Sequence, residues 1–122
     1  MKTLKVKNRK GFDIISLDNI LYCNSERNYT ILNLIDNRII KILYPITKIE
    51  ENLRDENFIR IHKQYVANNK HIVGFNKKTC CITLINDIEI PVSVRKKSQI
   101  DAMIKVTSIL DYLSKKTKVQ NL

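Results

Sequence analysis

Residues 72–94, IVGFNKKTCCITLINDIEIPVSV, hold three short apolar runs separated by polar clusters. The runs Ile72 to Asn76, Cys80 to Ile85 and Glu89 to Val94 are rich in β-branched residues, and Asn86-Asp87 tolerates the left-handed backbone of a tight hairpin. The stretch therefore predicts a three-stranded antiparallel meander. The same rhythm continues upstream, where strands are expected at Ile14 to Ser16, Ile20 to Cys23, Tyr29 to Leu34, Arg38 to Leu43 and Ile59 to His62, with a second hairpin turn at Asp36-Asn37.

Two stretches break that rhythm. Thr47 followed by Glu50 has the spacing of a capping box, and Ile49 with Leu53 gives a short helix one buried stripe. After Arg95 the period changes again. Ile100, Met103, Ile104, Thr107, Leu110 and Leu113 mark one face of an amphipathic helix expected to run to about Lys115.

A chain of 122 residues with 43% hydrophobic content suits one domain with one core and leaves no room for a second, catalytic one. The two glycines and two prolines provide neither a flexible linker nor a glycine-rich phosphate loop. Residues 1–11 read as a basic N-terminal extension, 12–98 as the domain, and 99–122 as a C-terminal helix and tail. The odd set of Cys23, Cys80 and Cys81 favours reduced packing residues over disulfides or a zinc knuckle. No run reaches the length of a membrane-spanning helix, and the basic start is not followed by the apolar segment of a signal peptide, so no membrane insertion and a cytoplasmic location are expected.

Lys and Arg number 22 against 12 Asp and Glu, a net charge of +10, which favours a polyanionic partner. Nucleic acid, an anionic membrane surface and an acidic protein all meet that condition. Enzymatic chemistry is not expected, because no nucleophile with a base, carboxylate pair or metal cluster stands at a recognisable spacing. His62 and His71 read as structural groups rather than metal ligands, and neither a metal nor a cofactor is expected.

Three polar clusters interrupt the strands: Ser25 to Tyr29, then His62-Lys63-Gln64 with Asn68 to His71, then Arg95-Lys96-Lys97. Arg and Asn can each bond two acceptor or donor groups on a base edge, while Lys neutralises phosphate. Each cluster also has a plainer reading. Arg27-Asn28 can be a simple hairpin turn with Tyr29 packed inward, Asn68-Asn69 a capping turn, and Arg95 to Lys97 the solvated start of a helix. Their joint occurrence in so basic a chain favours binding loops.

Three pieces in order carry a family resemblance: Leu17 to Tyr22 with Asn28-Tyr29-Thr30, then Phe58 to Asn68, then Ile90-Pro91-Val92-Ser93. Together they resemble the LytTR DNA-binding domain over about residues 12–98. The resemblance implies a mainly β fold, an elongated stack of small antiparallel sheets with a short internal helix and a C-terminal helix. It also implies loops, rather than a recognition helix, entering successive major grooves of double-stranded DNA to regulate transcription. Carried onto this chain, the base-contacting positions are Asn28 or Tyr29, Asn68 and Arg95, with Arg27, His62, Lys63 and Lys97 completing the expected DNA-binding set.

Some positions depart from the family pattern. Asn24 stands where an acidic residue is frequent, and Lys63-Gln64 where Arg-Ser is frequent; lysine keeps the charge but not the bidentate fork. Residues 1–11 cannot hold the receiver domain that such regulators usually carry, so the expectation is a free-standing regulator acting with a separate signalling protein, or the output half of a longer one. A homodimer on repeated sites is a further expectation. The rival readings are a single-stranded nucleic-acid binder, which three Phe, five Tyr and no Trp supply poorly with stacking surfaces, and a protein-interaction module using the last helix.

Overall fold

The computed structural model describes residues 2–104. In chain order the described elements are β1 (Thr3–Asn8), β2 (Gly11–Ser16), β3 (Ile20–Glu26), β4 (Tyr29–Leu34), β5 (Ile39–Ile42), α1 (Ile46–Leu53), β6 (Phe58–His62), β7 (Tyr65–Asn68), β8 (Ile72–Asn76), β9 (Cys81–Leu84), β10 (Glu89–Pro91) and α2 (Ile100–Met103). Short 3-10 turns at Leu17–Asn19, Arg54–Glu56, Asn69–His71 and Val94–Gln99 link them. The strands form a β1-β2 hairpin, a five-stranded sheet of order β5-β4-β3-β7-β6, and the meander β10-β9-β8. Every neighbouring pair is antiparallel.

Alternation along the strands divides the interior into two cores. Cys23, Leu32, Leu34 and Val66 of the central sheet face Ile46, Ile49 and Leu53 of α1, together with Val6 and Ile15 of the first hairpin. Burying each aliphatic side chain of the helix contributes on the order of 1.5–3 kcal/mol, enough to hold an eight-residue helix that would not persist alone. The meander packs through Ile72, Ile82, Leu84 and Ile90 against Leu21, Ile61 and Ala67 of the central sheet. Ile100 closes this second core, so the last described helix docks on its own sheets.

The meander and both Asx turns match the sequence reading. In each turn the third loop residue takes the left-handed conformation, Asn37 at φ 70° and Asp87 at φ 66°. The flanking Leu34 and Leu84 N–H groups donate to the Arg38 and Ile88 carbonyls.

Elsewhere the structure corrects the expectations. Residues 3–8, placed in the basic extension, form β1, because Leu4 and Val6 alternate with lysines and turn Val6 into the first core. Residues 65–68, for which no strand was expected and whose last member Asn68 was placed in a binding cluster, form β7 between β3 and β6 in the five-stranded sheet. The capping box does not form: α1 begins at Ile46 with Pro45 as its cap residue, and the Glu50 carboxylate pairs with Arg60 instead. The strand expected to reach Val94 ends at Pro91, which has no N–H to extend the ladder. The chain then crosses to the central sheet, where Ser93 N–H donates to Ile61 O at 2.8 Å. Cys80 precedes β9 in a left-handed conformation, so it does not alternate with Cys81 along a strand. The remainder of the expected C-terminal helix, to about Lys115, lies outside the described residues.

Candidate nucleic-acid interface

Strand register gathers three turns at one end of the central sheet. Glu26 pairs with Tyr29 across the β3-β4 hairpin, leaving Arg27-Asn28 as a two-residue tip, with Arg27 at φ 57°. His62 pairs with Tyr65 across the β6-β7 hairpin, leaving Lys63-Gln64 as its tip. Asn24 is paired with Tyr65, and Ser25 N–H donates to Gln64 O at 2.9 Å, so the two tips are neighbours. The Ser93 to Ile61 hydrogen bond brings the Val94–Gln99 turn, with exposed Arg95 and Lys97, alongside β6.

Around these tips the side chains are held outward by specific contacts. Lys41 of β5 bonds Glu26 Oε1 at 3.1 Å and lies 4.7 Å from the centre of the Tyr29 ring, which stays exposed. His62 Nδ1 accepts the Gln64 N–H at 3.0 Å, and its ring meets the edge of Tyr65 with centroids 5.4 Å apart. Tyr65 in turn packs on Tyr22, whose phenol is pushed above its ordinary pKa by burial and then by its proximity to Tyr65. Arg27, Asn28, Lys63 and Gln64 are all exposed.

Asn68 stands apart from this group. It lies at the far end of β7, about 10 Å along the strand from Tyr65, and is 3% exposed. Its amide donates to Leu17 O at 3.3 Å and Ile20 O at 2.9 Å, while its carbonyl accepts from Lys70 N–H at 3.0 Å. With both donor and acceptor engaged, the side chain ties β7 to the segment leading into β3. His71 is similarly placed, its Nε2 2.6 Å from Asp18 O.

The reading from sequence missed further cations at the turn-bearing end. Val92 N–H donates to Cys80 O, next to the Ser93 crossing, so the β8-β9 turn with exposed Lys77 and Lys78 belongs to the same end. Asn76 Oδ1 fixes that turn by accepting from Lys78 and Thr79 N–H. Ion pairs occur at both ends, with Lys41–Glu26 and Arg60–Glu50 beside the tips. At the opposite end Lys70 pairs with Asp18 at 3.1 Å and Arg38 with Asp36 at 2.7 Å; the Arg38 backbone and side-chain hydrogen bonds hold the Asp36 carboxyl below its usual pKa. Among the described residues, no ion pair engages Arg27, Lys63, Lys77, Lys78, Arg95 or Lys97.

A β scaffold that projects basic turns from one end has the electrostatic footprint of a surface that binds a polyanion such as nucleic acid. Among the described residues, no group of three or more His, Cys, Asp or Glu could hold a metal ion, and no helix is long and apolar enough to cross a membrane.

Comparison with known proteins agrees with that class. The model of the LytTr DNA-binding domain matches residues 10–105. The chain belongs to this family, a non-catalytic DNA-binding module of transcription regulation. Its fold is similar to that of a LytTr DNA-binding domain assigned to a methyl-accepting/DNA response regulator of Bacillus cereus, with a TM-score of 0.72 and 19% identity over 87% of this chain and 99% of that one. No curated protein matches the chain.

Proposed function

We propose that the turn-bearing end of the central sheet reads the major groove of duplex DNA, as the output surface of a bacterial transcription regulator. The carrying observation is the cluster of exposed cations on neighbouring turns, Arg27, Lys63, Lys77, Lys78, Arg95 and Lys97, none of which has an ion-pair partner among the described residues. Phosphates would satisfy that uncompensated charge and release counterions from the duplex. Arg27, Asn28 and Arg95 supply the base-reading groups, and Lys63, Lys77, Lys78 and Lys97 the phosphate contacts. Tyr29 and His62 flank the two hairpin tips. Asn68 acts by fixing the strand that carries the second tip, since its own polar atoms are engaged inside.

The likeness to a response-regulator domain supports a place downstream of a signalling protein, on the same chain or a separate one. Binding as two copies on repeated half-sites about one helical turn apart would extend the contacted duplex and belongs to the same proposal. A cytoplasmic site of action accompanies that reading.

Selection of bound duplexes from a random pool tests it. An enriched motif is expected, with preference lost at different positions in Arg27→Ala and Arg95→Ala. Equal recovery of all duplexes, or tighter binding to single strands of the same sequence, would refute it.

A further inference from the structure

Arg60 is less exposed than Arg38, the other arginine in a described ion pair, with a side chain 15% accessible. Its guanidinium reaches the backbone of the Lys63-Gln64 tip from the side of the sheet. Nε donates to His62 O at 2.8 Å, Nη2 donates to Lys63 O, and Nη1 donates to Glu50 Oε1 of α1 at 2.8 Å. The Lys96 ammonium donates to the Arg60 backbone carbonyl from the turn that bears Arg95 and Lys97. Partial burial of Lys96 lowers its pKa, with Glu50 opposing and Arg60 adding to that effect.

The local backbone explains the need for such an anchor. The β6-β7 ladder slips between Arg60 and His62, so the strand bulges before the tip. A bulge re-aims the residues beyond it and takes carbonyls out of the regular ladder. The fork of Arg60 supplies donors to two consecutive carbonyls in that re-aimed segment, and Glu50 holds the fork from a helix seated in the first core. Ser25 N–H on Gln64 O then passes the same constraint to the neighbouring β3-β4 hairpin.

We infer that Arg60 is a positioning residue for DNA recognition: locked by Glu50, it sets the Lys63-Gln64 tip and, through Lys96, the Arg95 turn, as one rigid unit. The inference rests on the reading of this end as the DNA surface. Lysine at position 60 keeps the charge but cannot hold two carbonyls and a carboxylate in one plane. Glutamine at position 50 keeps an acceptor and loses the charge, giving a milder lesion.

Two measurements on Arg60→Lys and Glu50→Gln test it. The first is amide hydrogen exchange without DNA. Ser25 and Gln64 are expected to exchange faster in both variants, while Leu32 and Leu84 in the cores keep their protection; unchanged exchange at Ser25 and Gln64 would overturn the anchoring. The second compares affinity for the duplex enriched from a random pool with that for a scrambled duplex of equal composition. Arg60→Lys is expected to weaken the enriched duplex about tenfold, within the range set by one lost base contact, and the scrambled duplex by less than about twofold. Glu50→Gln should show the same selectivity at smaller size. Parallel losses on both duplexes, the signature of a merely structural role, would overturn the proposal. A parent protein that cannot distinguish the two duplexes would overturn the base-reading role of this end, and the positioning role with it, whatever the exchange rates.

Discussion

At the scale of single residues, inward and outward orientation separates structure from recognition. Asn68 has a base-reading side chain, yet the carbonyls that claim it belong to Leu17 and Ile20, far upstream in the chain. Asn68→Ala should cost about 1–3 kcal/mol of stability, because it removes the side-chain donor to Ile20 O and the acceptor of the Lys70 N–H, while Leu17 O keeps the Ile20 N–H. Asn68→Asp should cost more still, by turning a carboxylate toward the same carbonyls; urea unfolding of both variants checks the order. Cys23 gives a second test. Burial pushes its thiol up from 9.0 to about 12, so the folded state retains a proton that the unfolded chain releases. This contribution is complete below about pH 9 and is lost as pH rises toward 12. Iodoacetamide at pH 8.5 is expected to label half-buried Cys80 and Cys81 in the native protein and Cys23 only after unfolding, as read by peptide mass spectrometry.

Among elements, the hairpins whose turns carry Asn or Asp were legible in the sequence because their chemistry is local. The tips at Asn37 and Asp87 need only a residue that tolerates positive φ. Strand β1 had a period-2 signal in Leu4 and Val6, but its lysines resemble a solvated tail when read by composition. Strand β7 had three residues, Tyr65 to Ala67, between polar clusters and owes its place to ladders with β3 and β6, which no local pattern reveals. The Thr47 and Glu50 spacing was misleading for the same reason: a tertiary partner, Arg60, outcompeted the local cap. The β3-β4 tip lies between these cases, since Arg27 holds a left-handed conformation that costs an arginine about 1 kcal/mol or more. Arg27→Gly should keep stability within about 1 kcal/mol of the parent, as the relieved backbone offsets the added chain entropy. It should still lower duplex affinity, as seen by fluorescence anisotropy; unchanged affinity would leave Arg27 a turn former only.

For the whole molecule, the net charge of +10 is less informative than its distribution. The sequence pointed to Arg27, Asn28, Tyr29, His62, Lys63, Asn68, Arg95 and Lys97; the fold brings the turns of all but Asn68 to one end of the sheet, and buries Asn68 at the far end of β7. Lys77 and Lys78 join them through the meander, a placement visible only once the Val92 and Ser93 crossing is known. If about six phosphates are neutralised, log affinity should fall against log salt with a slope of roughly −5. Replacing both Lys77 and Lys78 by Gln should flatten that slope by about 2, whereas Lys70→Gln at the opposite end should leave it unchanged.

Which end of the molecule meets the duplex is most directly measured by mapping backbone amide shifts as an enriched duplex is titrated into the isotopically labelled protein. Shifts are expected at Ser25 to Thr30, His62 to Tyr65, Lys77 to Thr79 and Val94 to Lys97, with Asn37, Lys70 and Asp87 unmoved. Shifts concentrated instead at Asn37, Lys70 and Asp87 would contradict the account.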